Sequence, residues 1–251
     1  MNRRRARSSA LFPLLAAAGA LTLLPAGASG AAAGGAARAA PTLTAAGAPS
    51  AVVTLGTAHV PRVAPRLNAS ALPLVRAVRP ITGGPTVLPV LARRVDATGE
   101  RWLRVRLPGR PNGSTGWIRA TATRPGTTRW SLRVDLTTRR LAVLLDGRAI
   151  RNFAVVVGKP TTPTPRGSFF VEEAVALPAG AQGGPYALAL SARSEVLRHY
   201  QGGVGQVAIH GTYNISGTPG TAVSHGCVRL TEPALDWLVS RIGAGVPVTI
   251  G

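Results

Sequence analysis

The chain has 251 residues, of which 45% are hydrophobic, and it carries a formal net charge of +20. That length fits one large domain or two small ones, and that hydrophobic content is enough to form cores. The 30 glycines and 21 prolines argue against a helical bundle and favour strands joined by turns. We therefore expect a mainly β protein.

The N-terminus has the three parts of a secretory signal peptide. An arginine-rich start leads into the apolar, alanine-rich stretch from Leu11 to Leu24, and the small residues Ala26-Gly27-Ala28 follow it. We expect residues 1–28 to be a signal peptide. The mature protein would then be exported to the cell wall, a periplasm-like space or the extracellular medium. A membrane anchor is the alternative, but Pro13 and Pro25 interrupt an apolar run that is already short for a membrane span.

Export changes the interpretation of the positive charge, which is nearly all arginine, with Lys159 as the lone lysine. Such charge is typical of nucleic-acid binding, but an exported protein does not meet nucleic acid in its normal role. Anionic polymers of the cell wall, or membrane surfaces, are the partners that its long-range electrostatic attraction favours. We expect no nucleic acid partner and, after signal cleavage, no integral membrane segment.

Residues 29–80 begin with an alanine-, glycine- and proline-rich stretch and continue with many prolines, so we predict a low-complexity linker and an irregular segment. Residues 81–125 predict a small β module. It contains an alternating strand at residues 102–107, an Asn112-Gly113 turn signal and a strand led by Trp117. The pattern resembles bacterial SH3-like barrel modules, which would target the cell wall. A β spacer without a ligand is the alternative.

We place a domain boundary near residues 124–126 and predict a series of strands after it. Asp146-Gly147 has the composition of a type I′ hairpin turn. The strands are predicted at residues 132–136, 141–145, 150–157, 168–175, 186–190, 206–210 and 246–250. A single helix is predicted from Thr231 to Ile242, with Thr231 as N-cap, Glu232 and Pro233 in the first turn and Gly243 after the end.

Residues 207–230 concentrate the reactive side chains, namely His210, His225 and the only cysteine of the chain, Cys227. A thiol becomes a strong nucleophile when a neighbouring base takes its proton. An unpaired thiol in an oxidising compartment is a liability unless it has a use, which favours a reactive Cys227. Inert packing of the cysteine and a zinc site are the alternatives, but a zinc site would be short of ligands.

The motif His210-Gly211-Thr212, followed by Ser224-His225-Gly226-Cys227-Val228-Arg229, resembles the signature of the YkuD-type L,D-transpeptidases. The resemblance covers residues 129–251. The stretch from Gly158 to Gly167 also resembles the family's proline-rich turn, which we interpret as a rigid wall of the cleft or a simple strand connector. The resemblance implies a β-sandwich-like catalytic domain with one C-terminal helix.

The resemblance implies roles for several residues of the motif. Cys227 would be the nucleophile, His210 its base, and the Gly211 carbonyl the group that orients the imidazole. The amides of Gly226 and Cys227 are oxyanion-hole candidates, and Ser224 and His225 are support candidates. His225 would hold the loop or contact substrate, with direct assistance to catalysis as the alternative. Substrate-binding candidates are Arg229, which could instead be a solvated surface residue, Thr212 and Tyr213. Asp236, the next acid downstream, is expected at the surface.

We therefore expect an exported enzyme of cell wall biogenesis and cell shape. It would cross-link peptidoglycan stem peptides through a thioester on Cys227, and it would need no metal or cofactor. Family members are carbapenem targets, and this chain would share that sensitivity. An L,D-carboxypeptidase that uses water as acceptor and a non-catalytic wall-binding protein are the alternatives. Residues 177–186 are glycine- and proline-rich and could form a mobile flap over the cleft.

Overall fold

A computed structural model describes residues 48–199 and 203–251. The predicted signal peptide and most of the low-complexity linker lie outside these residues. Within the described part, no helix is long and apolar enough to cross a membrane.

The N-terminal part of the fold is a five-stranded antiparallel sheet. Its strands stand in the order β4-β3-β2-β1-β5, and in chain order they are β1 (Ser50–Leu55), β2 (Val87–Val95), β3 (Arg101–Arg106), β4 (Thr115–Arg119) and β5 (Thr123–Thr128). Alternating apolar residues give this sheet its own core, which includes Val53, Leu55, Leu88, Val105 and Ile118. The small β module is therefore present, and its likeness to an SH3 barrel stays a prediction.

The predicted limits of this module, residues 81–125, are wrong at both ends. Ser50–Leu55, predicted within the linker and irregular segment of residues 29–80, is a strand that pairs with both β2 and β5. The residues predicted as a domain boundary, 124–126, lie inside β5. Because β5 is at the edge of the sheet, the missing N–H of Pro125 is tolerated there.

The C-terminal part is dominated by an eight-stranded mixed sheet. Its order is β14-β12-β11-β10-β15-β6-β7-β8, and a two-stranded sheet pairs β13 with β9. The bounds are β6 (Trp130–Asp135), β7 (Arg140–Leu145), β8 (Arg148–Ala154), β9 (Val157–Gly158), β10 (Gly167–Ala176), β11 (Tyr186–Arg193), β12 (Gln206–Gly211), β13 (Ala222–Ser224), β14 (Val228–Leu230) and β15 (Pro247–Ile250).

This large sheet is strongly curved. After β8 the chain reaches the opposite end of the sheet, where Val156 and Arg229 exchange backbone hydrogen bonds of 3.0 and 2.9 Å. The two ends of the sheet are thereby brought together in a nearly closed arrangement. The predicted mainly β fold with one C-terminal helix is confirmed, and all seven strands predicted after the boundary are present.

The single described helix, α1 (Glu232–Val239), starts directly after β14. Thr231 is its N-cap residue but makes no side-chain capping bond, and the helix ends before the predicted Ile242. Ala234, Leu235 and Leu238 are buried against the sheet. The helix therefore begins at a point fixed by the strand that follows Cys227.

β10 joins the two parts of the fold because both of its faces are buried. Phe169 and Val171 belong to the core of the large sheet, whereas Phe170 packs in the core of the N-terminal sheet. Next to them, Glu172 forms ion pairs with Arg79 and, at 2.9 Å, with Arg193. These charged groups bridge the two parts of the fold.

Candidate active site

His210 and Cys227 are brought together by the pairing of β12 with β14. The two strands are parallel, with Ile209 opposite Val228 and His210 opposite Arg229. Because side chains alternate between the two faces of a sheet, Cys227, directly before Val228, lies on the same face as His210. The structure therefore places the predicted base in β12 and the predicted nucleophile directly before the adjacent strand β14, on the same face.

The neighbouring strand leaves room above this face. In β11, Ala187 lies opposite His210 and Ala189 lies opposite Ala208. Their side chains point to the same face as the imidazole, and each ends at a methyl group. Small residues therefore lie next to His210 on this face of the sheet.

The His210 ring is held by its own neighbour. Its Nδ1 atom lies 2.9 Å from the Gly211 carbonyl oxygen. A carbonyl can only accept, so Nδ1 carries the proton and, in the neutral ring, Nε2 keeps the lone pair that a base needs. The contact expected of the Gly211 carbonyl is present, and its role in orienting a catalytic base stays a prediction.

The His210 imidazole is neutral at ordinary pH. Burial lowers its pKa to about 4, and the positive charge of Arg229 acts in the same direction, while the hydrogen bond to the Gly211 carbonyl opposes them. A buried cation is costly, and this is the main cause of the shift. His210 is thus available as a proton acceptor over a wide pH range.

Burial also raises the pKa of the Cys227 thiol, and this outweighs a backbone hydrogen bond from Ala208 and the charge of Arg229, both of which lower it. The resting site therefore holds a neutral thiol beside a neutral imidazole. If Cys227 is the nucleophile, as predicted, its thiolate has to be created by proton transfer to a base, and His210 is the predicted acceptor.

The loop before Cys227 is held by Ser224, which is fully buried. The Ser224 Oγ donates to the Cys227 carbonyl at 2.6 Å and accepts from the Gly226 amide at 3.1 Å. The predicted support role of Ser224 agrees with these bonds. They contradict the predicted oxyanion-hole role of Gly226, because its N–H is already engaged, and they leave the Cys227 amide as the candidate donor.

The proline-rich turn packs directly against this loop. Lys159 donates its amide to the Ser224 carbonyl at 3.0 Å, and the Thr162 hydroxyl donates to the same oxygen at 3.2 Å. Thr164 is buried, and its hydroxyl accepts the Gly158 amide at 2.8 Å. The turn therefore supports the cysteine loop, and its role as a wall of the cleft stays a prediction.

The predicted flap touches the base. Gly183 donates its amide to the Tyr213 carbonyl and accepts from the Gly211 amide, both at 2.8 Å. A Cβ atom on Gly183 would lie 2.3 Å from the Nδ1 atom of His210, so the backbone lies against the ring. This end of the flap is anchored at the site, and the mobility of the rest stays a prediction.

The remaining predicted site residues have different surroundings. Arg229 is buried, at 4% exposure, and its Nη1 donates to the Ser216 carbonyl, so the interpretation as a solvated surface arginine is wrong. Tyr213 is 52% exposed beside the site, and His225 is exposed on the cysteine loop. Substrate contacts of Arg229, Thr212 and Tyr213 stay predictions, as does the supporting role of His225.

One residue near the site was not predicted to belong to it. Glu232 accepts the Thr212 amide at 2.8 Å, although the sequence suggested only a favourable charge at the helix N-terminus. Asp236 is exposed, as expected. Among the described residues, no group of three or more histidine, cysteine or acidic side chains is arranged to hold a metal ion.

A cavity of about 550 Å³ lies elsewhere, in the N-terminal sheet. Val52, Val90 and Trp102 contribute to its walls, and Arg93, Arg94 and Arg101 are also among its lining residues. None of the site residues lines it, so it plays no part in the geometry of His210 and Cys227.

A mainly β domain that carries the segments from His210 to Thr212 and from Ser224 to Arg229 agrees with the catalytic domain of an L,D-transpeptidase. The family model of the YkuD L,D-transpeptidase catalytic domain matches residues 129–250. YkuD of Bacillus subtilis, a protein assigned to the L,D-transpeptidases, is 32% identical over 126 residues, which are 50% of this chain and 68% of that protein. Its counterpart in Bacillus licheniformis is 34% identical over 126 residues, with the same shares of 50% and 68%.

Among solved structures, L,D-transpeptidase 3 from Mycobacterium tuberculosis is 13% identical. The similarity covers 66% of this chain and 91% of that one, with a TM-score of 0.43. The sequence matches alone are sufficient for the assignment: the chain belongs to the YkuD family of L,D-transpeptidases. The predicted catalytic region, residues 129–251, agrees with the matched residues.

Proposed function

We propose that this protein is an exported L,D-transpeptidase that cross-links peptidoglycan stem peptides through a thioester on Cys227. The observation that carries the proposal is the parallel register of β12 and β14, which puts His210 and Cys227 on one face. The hydrogen bond from Nδ1 to the Gly211 carbonyl adds to it, because it leaves Nε2 as the base.

In the first half of the reaction, His210 Nε2 takes the proton of the Cys227 thiol. The thiolate attacks the carbonyl of the bond between the L- and D-centres of a donor tetrapeptide stem. The Cys227 amide would stabilise the oxyanion that forms. The imidazolium then returns its proton to the departing amine, the terminal D-residue leaves, and the acyl group stays on sulfur as a thioester.

In the second half, a side-chain amine of an acceptor stem attacks the thioester carbonyl and loses a proton to His210. The carbon–sulfur bond breaks, the sulfur takes up the proton, and the product is a cross-link between two stems. Neither step needs a metal or cofactor. Because a carbapenem offers a strained acyl group to the same thiol, we expect such compounds to acylate Cys227.

The proposal is tested by mass spectrometry of the mature protein with a disaccharide-tetrapeptide, beside Cys227→Ala and His210→Ala. Loss of the terminal residue with formation of a dimer, absent in both variants, is the expected result. Loss without dimer would assign the protein to the L,D-carboxypeptidases instead. An unchanged substrate together with a Cys227 that carbapenems do not acylate would refute the enzyme proposal and favour a wall-binding protein.

A further inference from the structure

We propose that Glu232 is a positioning residue for His210 and that it acts through the peptide group between Gly211 and Thr212. The inference rests on the proposed role of His210 as the base. The two contacts that carry it meet on a single amide. Its carbonyl oxygen, on Gly211, accepts from His210 Nδ1 at 2.9 Å, and its N–H, on Thr212, donates to Glu232 Oε1 at 2.8 Å.

The carboxylate is held in place by more than this one bond. The Thr212 hydroxyl lies 3.2 Å from Oε1 and 3.3 Å from Oε2 of Glu232, so both oxygens are within reach of one residue. Gly211 allows this approach, because a Cβ atom at that position would meet Oε1 at 2.9 Å and the Gly184 carbonyl oxygen at 2.6 Å. The missing side chain of Gly211 is thus a requirement of the geometry.

The arrangement couples the carboxylate to the imidazole electronically. An amide whose N–H donates to an anion carries more negative charge on its carbonyl oxygen, because hydrogen bonds in series polarise each other. The Gly211 carbonyl therefore accepts the Nδ1 proton more strongly, and most strongly when the ring becomes an imidazolium. The acid of a Ser-His-Asp triad contacts its histidine directly, whereas here the acid would act through one peptide group.

The topology explains why this acid is at the right place. The register sets Gly211 opposite Leu230, so the residues after β14 run beside the residues after β12. Glu232, two residues beyond Leu230, is the first residue of α1 and lies within reach of the Thr212 amide. The segment that follows Cys227 thus places Glu232 next to the peptide group that contacts His210.

A simpler role for Glu232 would be a favourable charge at the helix N-terminus. Two substitutions separate the roles. Glu232→Asp keeps the charge and the helix start but shortens the side chain by one carbon, about 1.5 Å, which removes the contact with Thr212. Glu232→Gln keeps the reach and removes the charge. Asp236→Ala, an exposed acid on the same helix, is the matched control.

The experiment measures the single-turnover rate of Cys227 acylation by imipenem, the thermal unfolding midpoint, and the pKa of His210 by NMR of the labelled imidazole. Cys227→Ala and His210→Ala are the reference variants. We expect Glu232→Asp and Glu232→Gln to slow acylation by about tenfold to a hundredfold, within the contribution of a general base. Both should also lower the pKa of His210 relative to the unchanged protein, while the unfolding midpoint and the Asp236→Ala variant stay unchanged.

When His210→Ala is inactive, three results would overturn the inference. One is a Glu232→Asp variant that acylates like the unchanged protein, since charge alone would then suffice. Another is a loss of rate that follows a loss of unfolding midpoint. The third is unchanged acylation in all Glu232 variants while His210→Ala is inactive. If His210→Ala acylates normally, the proposed base fails, and the NMR titration alone then decides whether Glu232 is coupled to the ring: an unchanged His210 pKa refutes the coupling, and a lowered one supports it.

Discussion

The contact between Gly183 and His210 makes a strong prediction, because the space for a side chain can be measured. Replacement by alanine would put a Cβ atom 2.3 Å from Nδ1, whereas ordinary contacts begin at 3.4 Å. The ring or the loop must therefore move by about 1 Å, and a misplacement of that size can reduce the rate about a hundredfold. Gly183→Ala should accordingly slow acylation of Cys227 by about two orders of magnitude.

Gly180→Ala is the matched control for this prediction. Gly180 lies in the same loop with φ +79°, close to the φ +75° of Gly183, but nothing lies within 4 Å of its Cβ position. Both alanines therefore carry a similar backbone strain, of about 1–2 kcal/mol, and only one of them meets the imidazole. The assay is acylation by a carbapenem, followed by intact-protein mass spectrometry. Equal rates in the two variants would refute the idea that the loop positions His210.

Three further predictions follow from the buried charges and the pKa shifts. Glu172→Ala leaves Arg193 buried without its acidic partner, while Arg79 keeps Glu173 at 3.7 Å, and should destabilise the protein by about 3–5 kcal/mol in denaturant unfolding; Glu100→Ala, in a largely exposed ion pair with Arg119, should leave the midpoint unchanged. Burial lowers the pKa of His210 from 6.5 to about 4, so the neutral imidazole contributes to the free energy of unfolding above pH 6.5. This part of the stability should be lost as the pH falls towards 4. The stability of His210→Ala, measured over the same pH range, should lack this decrease. Alkylation of Cys227 by iodoacetamide should be slow at pH 7 and still rise above pH 9, since burial raises the thiol pKa, and a plateau at neutral pH would contradict the neutral resting state.

The reactive pair was predictable because its chemistry lies in one short stretch of sequence. A base, a nucleophile and several glycines in residues 207–230 are enough to nominate His210 and Cys227. The register that makes them neighbours depends on a parallel pairing between β12 and β14, and β14 has only three residues. A strand that short has no detectable alternation, so the geometry of the pair could not be derived from the pattern.

The errors in the N-terminal part have a local cause. The four prolines at 61, 65, 73 and 80 made the whole segment before residue 81 look irregular, and they hid the strand Ser50–Leu55 that precedes them. Pro125-Gly126 resembled a linker because the sequence does not show that the strand is at an edge. In both places the pairing with neighbouring strands stabilises a strand where the local sequence predicted an irregular segment or a linker.

Glu232 illustrates a different limit. At the start of a helix an acidic residue already has a sufficient explanation, and nothing in the sequence connects it with Thr212, twenty residues earlier. The Gly226 amide is the opposite case. The motif suggested that this N–H is free to donate to a substrate, but it donates to the Ser224 hydroxyl. Hydrogen bonds between residues of one motif are decided by backbone geometry, which residue types alone do not specify.

The pKa values of Cys227 and His210 are shifted in opposite directions, and both shifts favour the neutral form of the group. Burial moves the pKa of Cys227 above its ordinary value of 9.0 and that of His210 down to about 4, so proton transfer between them is unfavourable before substrate binds. Arg229 favours the thiolate and opposes the imidazolium, whereas the Gly211 carbonyl favours the imidazolium. If the Cys227 sulfur attacks the substrate carbonyl while its proton passes to His210, the thiolate and the imidazolium need not exist together as a free ion pair. Because oxidation proceeds through the thiolate, a neutral thiol also suits an unpaired cysteine in the exported location proposed here.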